Sequence, residues 1–129
     1  MIVVDASAVV DALTLAPATE ELRHTLSAED LHAPQLIDFE VVSAIRGLTL
    51  GGHLSPARAE DALTDYAELP IQRWPSDGAL RLRSFQLRQN LSAYDAAYVV
   101  LAEALDCHLV TRDGRLARST GHDVRIRTL

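Results

Sequence analysis

Met1-Ile2-Val3-Val4-Asp5-Ala6-Ser7 opens the chain and decides how the rest is read. Three consecutive apolar residues, two of them β-branched, suit a short strand buried on both faces, and such strands sit at the centre of parallel sheets. Asp5 ends the strand. In open α/β sheets the functional crevice lies outside the carboxyl ends of the strands, so this acid stands where chemistry is normally done.

Outward from that strand, segments of strand and helix character alternate. Ala6 to Leu13 and Thr19 to Leu26 read as helices broken by Pro17, and Leu31-His32-Ala33 reads as a second strand with Pro34 placed to open a helix. Leu36, Ile37, Val41, Ala44, Ile45 and Leu48 recur at helical spacing up to Gly51-Gly52, and Glu40 falls within that helix. Ser55-Pro56 is an N-cap and N1 pair for a helix with Ala59, Ala62, Leu63 and Tyr66 on one stripe. Leu69 to Arg73 is a third strand and Asp77 to Gln89 a helix with one solvated, arginine-bearing face. Ser92 opens a helix that carries no charge from Ala96 to Ala102 and is therefore expected to be buried nearly all round. His108 to Thr111 is a fourth strand, Asp113-Gly114 turns into a short helix through Leu116, and Val124 to Arg127 is a fifth strand. This alternation predicts a three-layer α/β/α sandwich around a parallel sheet of about five strands.

Residues 1–129 are expected to form a single domain, since a chain of this size buries about two thirds of its unfolded surface without disulfides. The lone cysteine, Cys107, has no partner for a bridge or a zinc site, and no basic region precedes a long apolar run, so the expectation is a reduced, cytoplasmic protein. Eighteen acids against 12 bases give a net charge of -6, which taken alone argues against nucleic acid as a partner. Carboxylates gathered around a divalent ion would reverse that inference locally. All the bases are arginines, the residue that grips phosphate bidentately.

Four acids pass a topological test. Asp5 and Asp113 follow parallel strands at their carboxyl ends, and the helices carrying Glu40 and Asp95 start at that same edge. Each has a bland alternative: Asp5 as an N-cap, Glu40 as a complement to the helix dipole, Asp95 as part of a capping box after Ser92, Asp113 as half of a turn pair. Together they behave differently, because two like charges about 4 Å apart repel by roughly 4 kcal/mol at an effective dielectric of 20. A divalent metal is the natural remedy, with Asp5, Glu40, Asp95 and Asp113 as ligands. Asp38 points away from Glu40, Asp106 lies at the opposite edge, and Asp11 sits a turn down its helix. Ser7 and Thr111 are placed to orient the carboxylates as hydroxyl donors, or to cap the local backbone. Arg112, Arg115 and Arg118 surround Asp113 where they can hold phosphate, solvated surface being their default. The scattered histidines, Cys107 and Trp74 read as structure.

Val4-Asp5-Ala6-Ser7-Ala8, Glu40-Val41-Val42-Ser43-Ala44, Leu91-Ser92-Ala93-Tyr94-Asp95-Ala96-Ala97-Tyr98 and Val110-Thr111-Arg112-Asp113-Gly114-Arg115-Leu116 resemble, in order and over the whole chain, the four acidic blocks of PIN-domain ribonucleases of the VapC toxin type. The resemblance implies an endoribonuclease in which the four acids are catalytic and bind Mg²⁺ or Mn²⁺, leaving 5′ phosphate and 3′ hydroxyl ends. It also implies a cognate VapB antitoxin, homodimerisation, and structured RNA targets such as tRNA or ribosomal RNA loops. Three rivals belong to other classes. A receiver domain and a haloacid-dehalogenase-type phosphatase both use a lysine, which this chain lacks, and the phosphatase wants an Asp where Ser7 stands. A catalytically silent PIN-like module that binds RNA or a partner is separated from a nuclease by metal-dependent turnover.

Overall fold

A computed structural model describes all residues, 1–129. Five strands, β1 (Ile2–Val4), β2 (Leu31–Pro34), β3 (Ile71–Trp74), β4 (His108–Thr111) and β5 (Ile126–Thr128), form one wholly parallel sheet in the order β3-β2-β1-β4-β5. Seven helices connect or flank them: α1 (Ala6–Leu13), α2 (Glu20–Ala28), α3 (Ile37–Leu50), α4 (Pro56–Glu68), α5 (Gly78–Gln86), α6 (Ala93–Leu105) and α7 (Gly114–Ala117).

The chain leaves β1 in one direction for β2 and β3, then returns on the other side of β1 to β4. Right-handed crossovers therefore put α1, α3 and α4 together on one face, and α6, with α5 against it, on the other. The reversal between β1 and β4 is the topological switch point where an open α/β sheet forms its crevice. Ile2, Val3 and Val4 are buried, as both faces of the central strand are covered. Burial of α6 extends over Ala96, Tyr98, Val99, Val100, Leu101 and Ala102 and stops at Glu103, which pairs with Arg83 of α5 at 2.8 Å.

Some boundaries differ from the sequence reading. Pro34 is the last residue of β2, opposite Trp74 of β3, and does not open α3. Proline donates no hydrogen bond, and a strand's final residue tolerates that loss, while Leu36 precedes α3 without a side-chain cap. The third and fifth strands lie one or two residues later than their apolar pattern suggests. Helix α5 has no fully buried residue; Leu87, just beyond it, is the buried anchor, while Leu82 and Phe85 are exposed.

Candidate functional site

Asp5 is 5% exposed and leaves β1 still bonded to β4, its backbone N–H donating to Val110 O at 3.2 Å. Its carboxylate caps α1 and is held from both sides. Oδ1 accepts from Ser7 Oγ at 2.7 Å and from the Ala8 N–H at 3.0 Å, and Oδ2 accepts from Thr111 Oγ1. Each hydroxyl is in turn fixed by the chain after β4: Ser7 Oγ accepts from the Arg112 N–H and Thr111 Oγ1 from the Asp113 N–H, both at 3.0 Å. One rotamer of Asp5 is thus set by groups from opposite ends of the sequence.

The other three acids lie at the same edge, Asp5 feeling the charge of Asp113, and Glu40 those of Asp95 and Asp5. Asp113 caps α7 through Oδ1, which accepts from the Arg115 N–H at 2.9 Å. Asp95 lies in the first turn of α6, its N–H donating to Ser92 Oγ at 3.1 Å. Glu40 lies in the first turn of α3 and accepts a short hydrogen bond from the Tyr98 hydroxyl. The capping and dipole roles of these residues coexist with their convergence. Burial pushes the Asp5 carboxyl above the usual range against the lowering effect of its three hydrogen bonds, and the charge of Asp113 adds to the rise. Glu40 is raised by burial first and then by the charges of Asp95 and Asp5, against the lowering bond from Tyr98. Repulsion thus couples Asp113 to Asp5, and Asp95 and Asp5 to Glu40.

No three of these side chains are arranged to close on one ion. Arg115 Nη2 stands 3.6 Å from both Asp95 Oδ2 and Asp113 Oδ2 and supplies positive charge between them. Its side chain is 80% exposed, so the pairs are weak and readily exchanged. The donor set still fits a hard divalent cation. It consists only of carboxylate oxygens, it is strained by mutual repulsion, and magnesium keeps several waters and takes one or two carboxylates.

The three arginines diverge. Arg112 is withdrawn from phosphate: Nε donates to Asp11 Oδ2 at 3.0 Å, Nη1 to Leu129 O at 2.6 Å and Ala18 O at 3.1 Å, and Nη2 to Pro17 O at 3.0 Å. This corrects the sequence expectation, since every nitrogen of its guanidinium is already committed to holding a loop and the C-terminal residue. Arg115 faces the acids, and Arg118 is exposed without an ion pair. Trp74 is a packing residue, its Nε1–H donating to His32 Nδ1 at 3.0 Å.

Tyr98 is the site residue that the sequence did not disclose. It is 2% exposed, and its hydroxyl links α6 to α3 on opposite faces of the sheet. Burial first, and then the bond to Glu40, push the phenol far above its ordinary range, so it stays protonated and donates to Glu40. Tyr98→Phe keeps the ring and frees the Glu40 carboxylate. It is expected to weaken Mn²⁺ binding by about tenfold with little loss of thermal stability, measured by calorimetric titration beside a melting curve. Unchanged Mn²⁺ affinity would show that Glu40 needs no such anchor.

Residues 2–121 match the PIN domain family, a span that includes all four acids. Ribonuclease VapC12 of Mycobacterium tuberculosis is 40% identical over 126 residues, covering 98% of this chain and 97% of that protein. Ribonuclease VapC9 of the same organism is 45% identical over 117 residues, covering 91% and 89%. In fold, the chain is similar to VapBC2 from Rickettsia felis, solved bound to a DNA fragment from their promoter, with a TM-score of 0.70, 12% identity, and coverage of 99% of this chain and 98% of that one. With the family match reaching from β1 beyond α7 and identity sustained along both chains, this protein belongs to the PIN domain family.

Proposed function

We propose that the chain is a divalent-metal-dependent endoribonuclease, the toxin of a pair whose VapB-type antitoxin silences it. The observation that carries this reading is the edge itself: carboxylates from α3, α6 and the β4–α7 turn gather at the same edge as the buried, doubly held Asp5 that follows β1. The relatives named ribonuclease at 40% and 45% identity supply the reaction class. Mg²⁺ or Mn²⁺ bound among Asp5, Glu40, Asp95 and Asp113, through one or two carboxylates directly and the others by way of retained waters, would neutralise the phosphoryl group and make a water more acidic.

The chain's own residues do the rest. Ser7 and Thr111 hold Asp5 in place, Tyr98 holds Glu40, and the backbone N–H groups of Arg115 and Leu116 hold Asp113 Oδ1. Arg115, drawn off the acids, is free to meet a phosphate, and Arg118 stands one turn further along. RNA, an antitoxin and a second copy of the chain are the partners this reading assigns. No helix is long and apolar enough to cross a membrane.

End-mapped cleavage of total RNA with Mg²⁺ or Mn²⁺, beside EDTA and Asp95→Asn controls, tests the proposal. Discrete cuts abolished by both controls are expected. No cut in any RNA, with metal binding confirmed, would leave a silent binding module. Arg115→Ala is expected to weaken RNA binding across sequences and to lower the salt slope by about one. It should also tighten Mn²⁺ binding, because a competing cation has gone. An unchanged slope in binding titrations across salt would remove Arg115 from the phosphate contacts.

A further inference from the structure

Beside Asp95 the surface opens into a cleft of about 440 Å³ between the turn that follows α5 and the segment that follows α7. Its volume is within the range of small-ligand sites. Asp95 is the only acid on its walls, and the charge opposite is positive: Arg115 and Arg118. Arg118 has no ion pair, and its guanidinium folds back over the start of α7, Nη1 passing 3.0 Å from where a side chain on Gly114 would begin. That glycine lets the charge approach the acid edge.

The far end of the cleft is built of amides and hydroxyls. Asn90 Nδ2 donates to Thr120 Oγ1 at 3.2 Å and ties the two lips together. Gly121, at φ +92°, packs so closely that a Cβ there would lie 2.9 Å from the Asn90 side chain, so the width of the cleft is fixed by the fold. Thr120 accepts that bond and keeps its own hydroxyl proton, while the exposed Gln89 amide makes no hydrogen bond within the chain. Both are open to a ligand. No aromatic ring lines the cleft, so an occupant would be held by hydrogen bonds along its edge.

A charged mouth at the acid edge leading to neutral donors and acceptors matches a nucleotide, with phosphate outward and base inward. We propose that this cleft binds the nucleotide adjoining the scissile phosphate and reads its base through Gln89 and Thr120, Arg118 holding the phosphate. The choice of ligand rests on the ribonuclease reading. The site itself rests on the cleft's walls.

The test is titration of the ¹⁵N-labelled protein, in Mg²⁺, with AMP, GMP, CMP and UMP in turn. Expected are amide shifts confined to Gln89–Ser92 and Leu116–Thr120, with one base preferred. Arg118→Ala should weaken all four nucleotides by about tenfold. Gln89→Ala should instead cost the preferred base about fivefold and erase its advantage. Both side chains are exposed and free of tertiary hydrogen bonds, so the variants fold. No shifts at saturating nucleotide, shifts elsewhere, or wild-type affinities in both variants would overturn the proposal. If RNA is still cut in that case, the ribonuclease reading stands alone. If nucleotides bind here as expected and no RNA is cut, the cleft stands and the ribonuclease reading falls.

Discussion

Asp5→Asn is expected to slow metal-dependent RNA cleavage by about a thousandfold or more, and yet to leave the metal-free protein at least as stable as the wild type. The first half follows from the place of Asp5 at the centre of the acid edge. The second follows from its raised carboxyl pKa, caused by burial. A folded-state value above the unfolded one means that the stability tied to this group is fully present below the unfolded pKa and is lost as pH rises through the folded value. At neutral pH the ionised, buried carboxylate therefore costs stability when no cation faces it.

Asparagine removes the charge and keeps the bonds. Its Oδ1 still accepts from Ser7 Oγ and the Ala8 N–H, and its Nδ2 can donate to Thr111 Oγ1. The Thr111 proton then turns to Ser7 Oγ, 3.2 Å away. Urea unfolding without metal at neutral pH should show a gain of about 1 kcal/mol, shrinking as pH falls through the carboxylate range. Asp95→Asn should lose cleavage as completely, with a smaller stability change because Asp95 is more exposed. A variant at position 5 that unfolds more easily than the wild type at every pH would mean that the ionised cap is needed by the fold.

Arg112→Ala should be the most destabilising substitution of a charged residue, by about 2–4 kcal/mol. Its side chain is 22% exposed and gathers Asp11 of α1, the carbonyls of Pro17 and Ala18, and that of Leu129 around one guanidinium. The loop it holds carries Leu15 and Ala18 at φ +54° and +58°, a conformation that non-glycine residues adopt only when their surroundings hold them there. Removing the clamp frees the loop to relax and leaves three carbonyls to find water. Denaturant unfolding reads the loss, and hydrogen exchange should locate it around Leu15–Glu20. The salt slope of RNA binding should not change. A loss below about 0.5 kcal/mol would show that water replaces these bonds without cost.

Arg112 and Tyr98 show where sequence reading reaches its limit in this chain. The strand-end positions of Asp5 and Asp113 were legible because a parallel sheet sends every strand's carboxyl end to one edge. The starts of the helices carrying Glu40 and Asp95 inherit that edge from the strand order. The α/β/α layering followed from the same alternation. Arg112, by contrast, is one of three similar arginines around Asp113, and its carbonyl partners at Pro17 and Ala18 lie more than 90 positions away. Tyr98 sits in an apolar helix as an apolar residue should; its hydroxyl partner is 58 positions away on another helix. Long-range polar partners of this kind leave no periodic trace. The late registers of β3 and β5 have a simpler cause, because edge strands are half-covered and their apolar pattern is correspondingly weak.

Asp5 leaves the ribosome long before the hydroxyl and turn that fix it, because Thr111 follows it by 106 positions and Asp113 comes later still. Until β4 exists, β1 has a neighbour on one side only, and the carboxylate at its end lacks the Thr111 donor and the Asp113 charge. Docking β4 closes a loop of about a hundred residues, the kind of non-local pairing that slows folding into the millisecond-to-second range. A nascent chain therefore carries no finished acid edge until β4 has been made and has docked. The completion of that edge is timed by the arrival of a single strand.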